Sequence, residues 1–152
     1  MGFQMPQPEP AALCNFLNTL LEAERAGAKS AIIFSREYAD GPAAALIEQV
    51  RRDEAWCCGM LSAWVTRLGG APASRTGDFL EKVLAKQGLE ARLAFLNRGQ
   101  DWVVRQLQAM IPQLDAGALC VDLTRMLDLH VLNISECAAF LQSANPDRTT
   151  SA

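Results

Sequence analysis

The chain has 152 residues, of which 50% are hydrophobic and 20% charged, and a formal net charge of −3. A chain of this length makes one domain burying roughly two-thirds of its unfolded surface, which argues against disorder. Fourteen Lys+Arg against seventeen Asp+Glu, with no basic block longer than Arg51-Arg52, argue against a nucleic-acid partner.

Residues 1–10 (MGFQMPQPEP) carry prolines at 6, 8 and 10 and neither a basic start nor an apolar stretch, so they read as a flexible tail rather than a targeting signal. No uncharged apolar run reaches the roughly 18 residues that a membrane span needs. Cys14, Cys57, Cys58, Cys120 and Cys137 form an odd set without CxxC pairs and read as reduced thiols. By elimination the expected location is a bacterial-type cytoplasm.

Four helical segments follow, punctuated by Gly41-Pro42, by Gly69-Gly70-Ala71-Pro72, by Pro112 and by Asn145-Pro146. The first repeats Leu13, Leu17, Leu20, Glu24, Gly27 and Ala31 at steps of four and three. The second gives Ile47, Val50, Glu54, Cys57, Leu61, Trp64 and Leu68. The third gives Leu89, Leu93, Leu96, Gln100, Val103, Leu107 and Met110. The fourth gives Leu119, Leu123, Leu127, His130, Ile134, Cys137 and Leu141. Each is a one-sided seam, and four such seams predict an all-α four-helix bundle over 11–142, with a second flexible tail over 143–152.

Short turns near 40 and 114 pair the segments into two antiparallel hairpins. Between the hairpins, Gly69 to Gly88 contains a short helix expected over 78–87, with Asp78 as N-cap and Glu81 at the third position. This connection could span roughly 40 Å, so a long crossover and a simple up-down-up-down order are both open.

Polar residues interrupt the seams at one depth. Counted from the first turn, Glu24 lies about 16 residues before it, and Glu54 and Cys57 about 14 and 17 after it. His130 lies about 16 residues beyond the second turn, where Asn97 and Gln100 bracket the level on the third segment. Buried carboxylates need a proton, a partner or a metal, so this level is the candidate site.

A Glu, a Glu-x-x-His, a Glu and a second Glu-x-x-His on successive helices mark the ferritin-like di-iron carboxylate proteins. Over roughly 11–142 the chain resembles a small bacterial ferritin-like family of unknown function with an incomplete motif. Leu17 to Ala28 (LNTLLEAERAGA) is similar to a ferritin-like first helix with Glu24 at the ligand position. Glu54-Ala-Trp-Cys57 keeps the Glu and has Cys for His, while Leu127-Asp-Leu-His130 keeps the His and loses the bridging Glu. Asn97 stands at the level of the third helix, with Glu90 about 10 Å upstream.

Two metal ions need about four carboxylates and two imidazoles, and there is one His in the chain. The resemblance therefore implies at most a single iron or zinc ion on Glu24, Glu54, Cys57 and His130, with Asn97 as a neighbour. The competing reading is a metal-free Glu24–His130 pair.

The leading expectation is a ferritin-like protein, non-catalytic or of unassigned activity, whose polar cluster is structural or binds one ion weakly. Its alternatives are a mononuclear metal oxidoreductase and a homodimeric helical interaction module. Off-seam Trp56 and Trp102, with Ile32, Ile33 and Phe34, suggest a second apolar face. Either the crossover covers it, through Phe79, Leu80, Val83 and Leu84, or a second copy does. Gly99, inside the third segment, signals close approach or a kink. A homodimer without nucleic-acid or membrane contacts is expected, and the sequence names no small-molecule ligand.

Overall fold

A computed structural model describes residues 6–144, and those residues form helices without strands. The expected tails fall mainly outside them, at 1–5 and 145–152. Helix α1 spans Pro10–Glu37, α2 Ala44–Arg67, α3 Phe79–Leu84, α4 Leu89–Met110 and α5 Ala118–Ala144. Pro10 opens α1 at the first position, where a missing N–H costs nothing. Pro112 ends α4 in a short 3₁₀ turn, Ile111–Gln113. No described helix is long and apolar enough to cross a membrane.

Helices α1 and α2 pair antiparallel: the Cys14 thiol meets the Val65 carbonyl at one end, and Phe34 packs in one cluster with Ile47 at the other. Helices α4 and α5 do the same, with the Cys137 thiol at the Leu93 carbonyl and Val103 and Leu107 clustered with Leu119 and Leu123.

The connection between the pairs is a long crossover. Asn18 on α1 donates to the Ala71 carbonyl and accepts from the Ala73 N–H, and Arg25 donates to the Ala73 carbonyl. Arg92, near the start of α4, then reaches Glu37 at the end of α1 at 2.6 Å. The chain thus travels the length of α1 before α4 begins. Helices α2 and α4 therefore both start at the C-terminal end of α1 and run parallel, which decides between the two orders that the spacing leaves open.

Within the crossover α3 is shorter than the expected 78–87. Asp78 makes no side-chain cap bond; its carboxylate pairs with Lys82 at 3.1 Å. Val83 is fully buried, and Phe79, Leu80 and Leu84 pack with Phe34 and Leu93. The crossover thus covers this part of the second apolar face.

The α1 seam is buried as expected. On α2, Val65 is buried in place of Trp64. The reason is the indole N–H, which needs an acceptor and finds Asp122 at 2.7 Å, with Arg67 stacked over the ring. On α5, Met126 and Asn133 are buried in place of Leu127 and Ile134. Asn133 is drawn in by two bonds to α2: it donates to Asp53 at 3.0 Å and accepts from Gln49 at 2.8 Å.

Candidate metal-binding site

The buried residues fall into two apolar clusters. One contains Leu13, Leu17, Leu21, Cys57, Leu61, Val103, Leu107 and Met126; the other contains Ala31, Ile47, Val50, Leu93, Leu96 and Cys137. Between them, at one level, stand Glu24 on α1, Glu54 on α2, Gln100 on α4 and His130 on α5. They are 1%, 3%, 4% and 2% exposed, so this polar layer lies inside the protein.

Glu24, Glu54 and His130 bring one ligand atom each to within 4.8 Å of one another. His130 Nε2 lies 2.7 Å from Glu24 Oε1 and 3.8 Å from Glu54 Oε1. The other ring nitrogen, Nδ1, lies 2.9 Å from the Met126 carbonyl. A carbonyl only accepts, so Nδ1 carries the hydrogen and, in the neutral ring, Nε2 turns its lone pair to the carboxylates. Such a bond from the far nitrogen is how ligand histidines are oriented.

The layer is rich in acceptors and poor in donors. Both Glu24 oxygens, Glu54 Oε2 and His130 Nε2 are buried, and no donor from outside the cluster reaches them. Acceptors facing acceptors in an apolar interior repel, so the cluster demands positive charge, as protons or as a metal ion. Burial pushes the Glu24 carboxyl up to about 7, a hydrogen bond from Glu54 offsetting part of the rise. Glu54 is held well above the usual carboxylate range by burial and then by the Glu24 charge.

Backbone geometry makes the room. A Cβ on Gly27 would lie 2.9 Å from Glu54 Oε2 and 3.0 Å from its Cδ, so the Glu54 carboxylate rests against the bare helix backbone of α1. Gly99 serves a neighbouring contact: its Cβ would lie 2.8 Å from the Phe79 ring. Between close approach and a kink, it is close approach of the crossover that needs this glycine.

Two expected members are elsewhere. Asn97 donates to the Ile134 carbonyl at 3.2 Å and lines a surface groove between α4 and α5. Gln100 takes the level on α4 because 3.6 residues per turn put it, with Leu96 and Val103, on the buried face. Cys57 is fully buried but lies outside the Glu24–Glu54–His130 cluster, packed with Leu61 and Met60. Burial, then the nearby Glu24 and Glu54 charges, push its thiol far up, so it is a packing residue rather than a thiolate.

A cavity of about 360 Å³ opens beside the cluster, with Glu24, Glu54, Gln100 and His130 in its lining. Its apolar wall comes from Ala23, Leu96 and Val103, and Asp78, Phe79 and Trp102 also border it. The sequence shows no cavity, but the small residues Gly27 and Gly99 at its level are the one trace of it.

Glu24, Glu54 and His130 are thus together, and among the described residues no other His, Cys, Asp or Glu joins them in a possible metal cluster. The two carboxylates balance one divalent ion, and the partnerless acceptor atoms suit a single cation. Residues 12–139 match the profile of a domain of unknown function (DUF6306). No curated protein and no solved structure gives a significant match.

Proposed function

The chain belongs to the DUF6306 family, and we propose that it is a ferritin-like four-helix bundle protein holding one iron or zinc ion on Glu24, Glu54 and His130. The reading rests on one observation, the convergence of buried acceptor atoms without donors at a single point. Two carboxylates and a neutral imidazole bring a divalent ion to zero net charge, so an apolar interior can accept it. The Met126 carbonyl holds the ring in the tautomer that presents Nε2. Gly27 lets the Glu54 carboxylate lie against α1. With Cys57 outside the set, the donors are hard oxygens and one nitrogen, which suits iron at least as well as zinc. A bound ion would supply Lewis acidity, or one-electron chemistry if it is iron, beside a cavity wide enough for a small molecule.

The 2.7 Å separation of His130 Nε2 and Glu24 Oε1 supports a second reading, in which a shared proton alone joins the pair and no ion binds. Titration of chelator-treated protein with Co²⁺, a spectroscopic stand-in for iron or zinc, separates the two. One equivalent should bind, without sulfur-to-cobalt charge-transfer absorption. His130→Gln should weaken binding by about tenfold or more. Failure to saturate at one equivalent, or unchanged affinity in His130→Gln, decides for the metal-free pair.

A further inference from the structure

Gln100 is the member of the polar layer that neither reading uses. It is 4% exposed, lines the cavity, and both its amide nitrogen and its amide oxygen are buried without a hydrogen-bond partner. An amide buried in this way is destabilising, because its lost hydrogen bonds to water are not replaced. A side chain offering one donor and one acceptor together is complementary to a group offering the same pair in reverse.

We propose that the cavity of about 360 Å³ between α1, α4 and the crossover binds a small neutral molecule with an apolar body and a carboxamide head, the head paired with Gln100. The volume is near the lower end of small-molecule sites, roughly 300–1,000 Å³, which sets the body at about one ring. Charge selects the head. No Lys or Arg is in the cavity lining, so the charge of an anion would be buried there without a partner. An organic ammonium offers no acceptor and leaves the Gln100 N–H groups unpaired. Ala23, Leu96 and Val103 suit an apolar ring, and Trp102, 42% exposed, is the aromatic surface past which it enters. The inference goes beyond the metal site and stands without it, because Gln100 and these walls are the same whether protons or an ion neutralise the carboxylates.

The test uses three probes of one shape on the ¹⁵N-labelled full chain: benzamide, acetophenone without the donor, and toluene without either polar atom. Benzamide should shift the Trp102 indole and Gln100 side-chain resonances saturably, and bind at least about tenfold more tightly than the other two. Gln100→Leu should abolish that preference, with toluene binding at least as well as benzamide. Should Gln100→Leu fail to fold, Ala23→Leu fills the cavity while keeping the amide, and it should lose benzamide. The proposal is overturned by absence of saturable benzamide shifts, by equal affinities for the three probes, by a preference that survives Gln100→Leu, or by benzamide binding unchanged in Ala23→Leu.

Discussion

Gly27 shows how one residue carries two opposing effects. Within a 28-residue helix, glycine costs about 1 kcal/mol relative to alanine, so Gly27→Ala should stabilise α1 on propensity alone. A methyl group there must instead displace the Glu54 carboxylate, 2.9 Å from where it would sit. We expect Gly27→Ala to fold with a melting temperature near that of the parent and to bind metal about tenfold more weakly or worse. Calorimetric titration beside a thermal melt reads both, and unchanged affinity would remove Gly27 from the site. Glu24, Glu54 and His130 were legible in the chain because each interrupts an apolar seam and all three share a depth. Asn97 was the wrong neighbour because depth alone does not distinguish faces of a helix; Gln100, three residues on, shares the buried face with Leu96 and Val103. Cys57 has the right depth and burial, but its short side chain ends in the packing beside Leu61.

At the scale of the element, α5 and α3 depart most from what periodicity implies. Hydropathy favours Leu127 and Ile134 on the buried face of α5, yet Met126 and Asn133 occupy it. The choice between adjacent residues is settled by Asp53 and Gln49 on another helix, and a helix's own sequence holds no record of its neighbour's side chains. Val121, Val131 and Leu132 are exposed. Helix α3 has six residues and is held by what it touches: Phe79 stacks on Phe95 with centroids 5.1 Å apart and lies against Gly99. Gly99→Ala should push that ring away and free the crossover, a loss exceeding the roughly 1 kcal/mol gained in α4 propensity. Limited proteolysis between residues 68 and 88 should therefore quicken in Gly99→Ala. Adding Phe79→Leu should restore part of the stability, a positive coupling in a double-mutant cycle. Additive effects of the two changes would rule out the contact as the reason for the glycine.

For the whole molecule, the polar layer makes stability depend on pH in a direction opposite to that of most acidic residues. The Glu24 carboxyl is raised from 4.5 to about 7 in the fold, so protons bind the native state more tightly than the unfolded chain. Its contribution is fully present below about 4.5 and is lost as the pH rises through about 7. Glu54 is shifted in the same sense. Denaturant midpoints of chelator-treated protein should fall between pH 5 and pH 8, and one equivalent of metal should restore the loss at pH 8. A Glu24→Gln, Glu54→Gln double variant should lack this slope; the same slope in both proteins would assign it elsewhere. The number of long helices, their pairing through short turns, the Pro112 stop and the depth of the polar layer followed from the sequence itself. Those depend on propensity, on local breakers and on counting residues along an axis, all of which are properties of the chain alone. The tertiary structure decided the crossover, the rotation of α5, the exclusion of Asn97 and Cys57, and the cavity beside Gln100. Each of these depends on which surfaces meet once four helices bury their seams together, and that is a property of no single segment.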